Sequence, residues 1–311
     1  LWRQACALQD IVRPVTIIES DTLSLFVGAN VIVASETFQK TGSFKFRAAY
    51  NLAANVMEET LITASSGNFG QALACACALL AKRAIVVMPA NSAKVKIEAT
   101  RAYGATVELV NTQEKSRAQR VAELAAQYPD ARVCRAYDDS LVIEGSASLG
   151  LEIAALGRAI DVVVVPIGGG GLSAGIISGL RQAGRSDVKV CGAEPLIAND
   201  AASSLKAGSL MRLPSEPQTV ADGARTQSLG QHNWQILKEG LCDVVEVPEV
   251  NIEAAVRQYF YKTNLKVEPT GALTLGAVLT SPEKFAGKSI VLVVSGGNVD
   301  LDTYVRIMTS S

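Results

Sequence analysis

The residue with the clearest capacity for chemistry is Lys45, which lies in the run Phe44-Lys45-Phe46-Arg47. A lysine flanked by two aromatic rings and near a second cation is expected to be partly desolvated, which favours the neutral amine. A neutral amine can attack a carbonyl carbon and form a Schiff base. The alternative, for any single lysine, is a solvent-exposed position at the start of a helix.

The other polar residues narrow the possible chemistry. The chain of 311 residues has one histidine, His232, so a histidine-dependent triad would have to use it, and a zinc site with two or three histidines is excluded. Lysine and arginine number 29 against 30 aspartates and glutamates, a net charge of -1. This balance argues against a polyanionic partner, and we predict no binding of nucleic acid.

A second chemical feature is the run of four glycines at 168–171, which follows a β-branched stretch. Consecutive glycines allow backbone N–H groups to close around a phosphate, and the start of a following helix favours an anion. The run also fits the dinucleotide fingerprint of a dehydrogenase, G-x-G-x-x-A from Gly169, with Asp187 or Glu194 as the ribose-binding acid. From this loop alone, both interpretations stay open.

The elements that must position these residues alternate along the chain. Strands are predicted at 62–64, 84–88, 106–110, 132–135, 162–165, 188–193 and 290–294, and helices at 70–82, 92–103, 115–127 and from about 172. Repeated βα units predict an α/β fold with open parallel sheets covered on both faces. Ligands of such sheets bind beyond the carboxyl ends of the strands. Segments 65–68, 168–171 and 295–298 each follow a predicted strand, so we predict one shared ligand site.

Cysteine usage and hydropathy predict the environment of the protein. The six cysteines are Cys6, Cys75, Cys77, Cys134, Cys191 and Cys242. They form no CxxC pair and lie mostly in apolar stretches, which predicts buried free thiols in a reducing compartment. Residues 162–180 carry no charge and could just span a bilayer, but the glycine run would break such a helix. We therefore predict a cytoplasmic protein without a membrane partner.

Five motifs occur in an order typical of one family: SFKFR, SSGNFGQA, GGGGL, GAEP with a downstream ADG, and SGGN. From about Arg13 to Asn298 the chain resembles the pyridoxal-phosphate (PLP) enzymes of fold type II, within them the serine/threonine dehydratase and serine racemase branch. This resemblance disfavours the dehydrogenase. It implies two open parallel-sheet domains of the tryptophan-synthase-β-like class with the cofactor in the cleft. Residues 1–50 and 143–311 are expected to form a large domain, and residues 51–142 a small domain inserted in it.

The resemblance also implies roles for individual residues. Lys45 is expected to hold PLP as a Schiff base and to act in catalysis together with Ser66. The expected cofactor-binding residues are Phe44, Lys45, Asn68, Gly168, Gly169, Gly170, Gly171, Leu172 and Ser295, the last facing the pyridine nitrogen. The expected substrate-binding residues are Ser65, Ser66, Gly67, Asn68, Phe69 and Arg117. Glu194, Asp200 and the carbonyl of Ala198 are expected to bind Mg²⁺ or Ca²⁺, the alternative being a solvated loop with two unrelated acids.

The reaction implied is β-elimination from a 3-hydroxy amino acid such as threonine, serine or 3-phenylserine, which gives a 2-oxo acid and ammonia. The alternative is an amino-acid racemase in which Lys45 and Ser66 exchange protons on opposite faces of the substrate. Phe69 stands where the usual substrate loop of the family has histidine. We expect this change to make the pocket more apolar and to favour a hydrophobic β-substituent. A homodimer is considered as the assembly.

Overall fold

The computed structural model describes residues 11–65, 67–92 and 94–310. Ser66 and Cys6 lie outside the described residues. The strands are β1 (Thr16–Glu19), β2 (Asn30–Ser35), β3 (Thr60–Ala64), β4 (Arg83–Pro89), β5 (Thr106–Val110), β6 (Arg132–Val133), β7 (Val162–Pro166), β8 (Lys189–Pro195), β9 (Leu241–Val247) and β10 (Ser289–Val294). The helices are α1 (Asp21–Val27), α2 (Lys45–Ala54), α3 (Asn68–Leu79), α4 (Lys94–Ala102), α5 (Arg117–Gln127), α6 (Ser140–Ala154), α7 (Gly171–Gln182), α8 (Asp200–Ala207), α9 (Gln231–Gly240), α10 (Glu249–Thr263), α11 (Pro269–Thr280) and α12 (Leu301–Thr309).

The larger sheet has six strands in the order β1-β2-β10-β7-β8-β9. All neighbouring pairs are parallel except β1 with β2, which run antiparallel with Thr16 opposite Ser35. An antiparallel strand at the edge is common in otherwise parallel sheets. The α/β class with parallel sheets is therefore confirmed, and β1 adds an antiparallel edge that the sequence did not predict.

The larger sheet is buried on both faces, as the residues of β7 show. Val162 and Val164 belong to one apolar cluster, whereas Val163 and Val165 belong to a second cluster on the opposite face. An uninterrupted β-branched run suits such a strand, because both sets of side chains leave water. Among the described residues, no helix is long and apolar enough to cross a membrane.

The smaller sheet has four parallel strands in the order β5-β4-β3-β6. All of them lie between residues 51 and 142, but α2 and α6 each cross one of the predicted domain boundaries, which stay predictions. The two helices pack closely, because Gly145 of α6 lies against the backbone of α2. A Cβ atom there would approach the carbonyl oxygen of Arg47 to 2.5 Å.

Candidate active site

Lys45 is the first residue of α2, and its side chain is enclosed by two rings. Its Nζ atom lies 4.9 Å from the ring centroid of Phe44 and 5.7 Å from that of Phe69. The ammonium donates a hydrogen bond to the carbonyl oxygen of Ala136 at 2.8 Å. The amine is thus held at the point where α2, the start of α3 and the segment before α6 meet.

Burial sets the protonation of this amine. It lowers the pKa of Lys45 to about 8, and the nearby carboxylate of Glu268 acts in the opposite direction. Arg47 was expected to add positive charge beside Lys45, but its guanidinium is paired with Glu36 at 2.8 Å and with Glu152 at 2.5 Å. Desolvation therefore accounts for the lowered pKa, without help from the neighbouring cation.

A hydrogen-bonded cluster of Asn68, Glu268 and Asn298 lies beside Lys45. Asn68 begins α3, and its Nδ2 atom donates to the two Glu268 carboxylate oxygens at 2.9 and 3.1 Å. Asn298 donates from its backbone N–H to Glu268 at 3.1 Å and from Nδ2 to Asn68 Oδ1 at 2.8 Å. The tertiary structure thus joins the loops that follow β3 and β10, which the sequence had predicted to share a site.

Glu268 was not recognised in the sequence as a site residue. It immediately precedes Pro269, the first residue of α11. An acidic residue at the start of a helix was the one feature of the sequence that could have indicated a role for Glu268. Burial raises the pKa of Glu268 to about 7, with Asp222 adding to the effect. A carboxyl group of this kind changes charge near neutral pH and thereby alters the field at Lys45.

Ser295 follows β10 and contacts the backbone of Phe44, the residue before Lys45. Its backbone oxygen accepts a hydrogen bond from the N–H of Phe44 at 2.9 Å. Its side chain is buried, and within the described part of the chain its hydroxyl has no hydrogen-bond partner. A buried hydroxyl without a partner is costly, and the nitrogen of a bound ring would satisfy it.

The glycine loop lies between β7 and α7 and leaves no room for side chains. A Cβ atom on Gly168 would lie 2.7 Å from the carbonyl oxygen of Gly223, and one on Gly169 would collide with the ring of Tyr137. Gly170 has a φ of 90°, in the left-handed region that favours glycine. Three of the four positions thus have a distinct physical requirement for glycine.

The same loop presents backbone donors suited to a phosphate. The first N–H groups of α7, from Gly171 and Leu172, have no partner within the helix and lie at its positive end. Asn233 supports the loop, since its Nδ2 atom donates to the carbonyl oxygens of Gly169 at 2.6 Å and Tyr137 at 3.1 Å. Asn233 was also missed in the sequence, where nothing distinguishes it from other helix residues.

The remaining predicted substrate residues are placed as follows. Ser65 Oγ accepts from the N–H groups of Gly67 at 3.4 Å and Gly70 at 3.1 Å. Phe69 is 2% exposed and belongs to the apolar cluster of the smaller sheet while its ring faces Lys45. Arg117 begins α5 with a half-buried side chain, and its contact with a substrate stays a prediction.

The predicted cation ligands lie in one loop between β8 and α8. Both oxygens of Glu194 already accept hydrogen bonds, from the N–H groups of Ala201 at 3.0 Å and Ala202 at 2.7 Å. Asp200 is buried, and one of its oxygens has no partner among the described residues. Burial raises the pKa of Asp200 to about 7 and that of Glu194 well above its usual range.

The predicted donor set of this loop is two carboxylates and the carbonyl of Ala198. In the part of the chain that the structure describes, no cluster of three or more histidine, cysteine, aspartate or glutamate side chains could hold a metal. No metal-binding cluster therefore supports the predicted cation. The unpartnered oxygen of Asp200 is compatible with a bound cation.

The parallel-sheet fold, the lysine enclosed by two rings and the glycine loop define a class, the fold type II PLP enzymes. The residues present fit this cofactor: an amine for its aldehyde, a glycine cradle for its phosphate and an unpartnered hydroxyl for its ring. The chain belongs to the pyridoxal-phosphate dependent enzyme family, whose model matches residues 8–296.

Individual relatives are similar over nearly their whole length. An L-threo-3-hydroxyaspartate ammonia-lyase from Pseudomonas sp is 33% identical over 305 residues, covering 97% of this chain and 95% of that protein. A serine racemase from Rattus norvegicus is 36% identical over 307 residues, covering 94% and 90%. The solved structure of T.th. threonine deaminase has a TM-score of 0.91 at 36% identity, covering 96% of this chain and 97% of that one.

Proposed function

We propose that the protein is a PLP-dependent ammonia-lyase that eliminates the β-hydroxyl group of a 3-hydroxy amino acid and releases a 2-oxo acid and ammonia. The half-buried Lys45 carries this proposal, because its pKa of about 8 leaves its amine able to bind an aldehyde and to move a proton near neutral pH. Relatives named as ammonia-lyases and threonine deaminase support the reaction type.

The described residues can divide the work of holding the cofactor. When bound, PLP supplies an electron-withdrawing ring that stabilises negative charge at the substrate Cα. Lys45 would hold its aldehyde carbon, Asn68 would donate to the 3′-oxygen, and the backbone N–H groups of residues 168–172 would hold the phosphate. Ser295 would face the ring nitrogen and leave it largely unprotonated, which would suit prompt loss of a β-substituent.

The substrate is proposed to lie between Lys45 and the start of α3. N–H groups at that helix start, with Ser65 and Gly67, receive its carboxylate. The neutral Lys45 amine would accept the Cα proton of the substrate. Phe69 lines the pocket on the side of the β-substituent and sets its apolar character.

The decisive test has two parts. Borohydride reduction of the holoenzyme followed by peptide mapping should place the cofactor on Lys45, and Lys45→Ala should lose both the label and oxo-acid formation. Lys40→Ala is the control, because it removes a nearby lysine whose Nζ faces the Phe46 ring instead. A label on another lysine would refute the cofactor assignment.

The second part compares oxo-acid formation from serine, threonine, 3-phenylserine and 3-hydroxyaspartate. Activity on at least one of them is expected, and inactivity on all four would contradict the reaction. Racemisation is the second candidate, favoured by the 36% identity with a serine racemase. Incubation in D₂O with chiral analysis separates the two, since D-isomer forming faster than oxo acid would make racemisation the main activity.

Four finer features are also part of the proposal. Glu194, Asp200 and the Ala198 carbonyl bind Mg²⁺ or Ca²⁺, with the unpartnered Asp200 oxygen as the support. The chain divides into a large domain of residues 1–50 and 143–311 and a small domain of residues 51–142. The enzyme acts on free amino acids in the cytoplasm, and a homodimer is its proposed assembly.

A further inference from the structure

Two cysteines, Cys191 and Cys242, lie side by side near the amino-terminal ends of β8 and β9. β9 is the edge strand of the larger sheet, and its register with β8 shifts between Val190 and Cys191. This bulge sets Cys242 and Asp243 of β9 against Cys191. Neighbouring strands lie about 4.8 Å apart, within the range of Cα separations that a disulfide spans.

The two thiols differ in exposure. Cys191 is buried and its thiol donates to the carbonyl oxygen of Gly192 at 3.6 Å, whereas Cys242 is exposed. The interaction between the two thiols lowers the pKa of Cys242, while partial burial and Asp243 oppose the change and Lys189 adds to it. The same interaction, together with burial, raises the pKa of Cys191, with Lys284 acting against the shift.

The other described cysteines have a different environment. Cys75, Cys77 and Cys134 are buried, and burial raises their pKa values, to about 12 for the last two. The sequence had predicted buried thiols throughout, and Cys242 is the exception among the described residues. An exposed thiolate next to a second thiol is the arrangement of redox-sensing cysteine pairs.

We propose that Cys191 and Cys242 form a reversible intramolecular disulfide when the enzyme meets hydrogen peroxide. The Cys242 thiolate attacks one peroxide oxygen, the O–O bond breaks, and the departing hydroxide takes a proton from solvent to become water. The Cys191 sulfur then displaces hydroxide from the resulting sulfenic acid, and its own proton leaves with that hydroxide as a second water. The two sulfur atoms together lose two electrons, which the peroxide gains.

The test uses the holoenzyme in a Cys6→Ser background, so that the cysteine outside the described residues cannot cross-link. After brief exposure to hydrogen peroxide and quenching with N-ethylmaleimide, non-reducing peptide mapping should reveal a peptide pair joined through Cys191 and Cys242. Dithiothreitol should restore both thiols. Cys134 serves as the internal control and should stay reduced and slow to alkylate.

The interaction between the thiols gives an independent readout. Because it lowers the pKa of Cys242, alkylation of Cys242 at pH 7 should be roughly tenfold faster than that of an ordinary exposed thiol. In Cys191→Ala the pH at which the alkylation rate of Cys242 is half-maximal should rise. In the same variant dimedone should trap the Cys242 sulfenic acid.

Three results would overturn the proposal. The first is alkylation of Cys242 no faster than that of Cys134. The second is a cross-link between two chains in place of the internal one. The third is oxidation of Cys242 to sulfinic acid while Cys191 keeps its thiol.

Discussion

At the scale of single residues, the protonation of Lys45 controls whether it can react. Only the neutral amine adds to an aldehyde, so uptake of PLP by the apoenzyme should quicken with rising pH and level off above about 8. Glu268 favours the charged amine, and Glu268→Gln should therefore move this midpoint to lower pH. Stopped-flow absorbance at the cofactor band measures the rate.

Glu253→Gln provides the control, because Glu253 pairs with the exposed Arg306 and is not among the charges that shift the pKa of Lys45. This variant should keep the wild-type midpoint. A midpoint that stays in place in Glu268→Gln would show that the Glu268 carboxylate does not act on Lys45.

Phe69 is the residue expected to tune substrate choice. Its ring faces Lys45 yet is 2% exposed, so it contributes apolar surface without contacting water. Phe69→His should lower the ratio of kcat/KM for 3-phenylserine to that for serine by about 5- to 100-fold, as expected for roughly 1–3 kcal/mol of pocket discrimination. Steady-state assays of oxo acid give the two constants.

Phe46→Leu is the matched change, since Phe46 is equally buried in the same apolar cluster but faces Lys40. Its substrate ratio should stay at the wild-type value. Equal ratios in all three proteins would mean that Phe69 only packs against its neighbours.

At the scale of elements, the loop between β7 and α7 is fixed by close backbone contacts. Gly169→Ala should weaken PLP binding about tenfold or more, because the new methyl group collides with the Tyr137 ring and shifts the loop. Adding Tyr137→Ala should restore much of the affinity. Equilibrium binding of PLP, followed by absorbance, provides the measurement.

Gly168→Ala separates the effect of a backbone contact from that of a side-chain contact. Its methyl group would meet the Gly223 carbonyl, which belongs to the backbone and cannot move aside as a side chain can. Tyr137→Ala should therefore leave this variant impaired. Rescue of both variants alike would mean that the loop is tolerant and that the contacts do not position it.

The loop between β8 and α8 holds two buried carboxyl groups, Glu194 and Asp200, which are the ligands of the proposed cation site. Adding Mg²⁺ or Ca²⁺ at about 100 times its Kd should stabilise the protein by about 2.7 kcal/mol and raise its Tm by several degrees. Asp200→Asn should abolish the increase, and EDTA should reverse it in the wild type. Differential scanning calorimetry reports all of these values.

Asp187→Asn is the control, because Asp187 is exposed and pairs with Arg185 outside the loop. It should respond to the cation as the wild type does. A Tm unaffected by either ion in the wild type would contradict the proposed site.

At the scale of the whole molecule, Arg47 ties the helix that carries Lys45 to the larger sheet. Its guanidinium is fully buried and bonds Glu36 after β2 and Glu152 of α6. Arg47→Met would leave Glu36 buried and unpaired, so we expect a loss of about 3–5 kcal/mol in the free energy of unfolding. Urea titration followed by circular dichroism measures it.

Arg306→Met should cost about 1 kcal/mol or less, because its pair with Glu253 is partly exposed. Glu36→Gln added to Arg47→Met should recover part of the loss, since no charge then stays buried. If the double variant were as unstable as Arg47→Met alone, the unpaired charge would not be the cause.

The pattern of strands and helices was largely predictable from the sequence. β5 has the predicted bounds, and β3, β4, β7 and β10 differ from theirs by no more than two residues at an end, because continuous β-branched runs mark buried parallel strands. Strands β1, β2 and β9 were not identified, and β6 ends two residues early at Val133. Except for β2, these strands are short or lie at sheet edges. At such positions tertiary pairing decides whether a stretch forms a strand.

The sequence by itself predicted a reactive amine at Lys45 and an anion-binding glycine loop, because both depend on residue types that few positions require, and the family resemblance added the serine after β10. The tertiary structure alone decided that Glu268 holds Asn68, that Asn233 supports the glycine loop and that Arg47 pairs away from Lys45. These contacts join residues 11 to 200 positions apart in the chain. Burial and the nearby Glu268 carboxylate, which set the pKa of Lys45, act on it only after such distant segments have packed together.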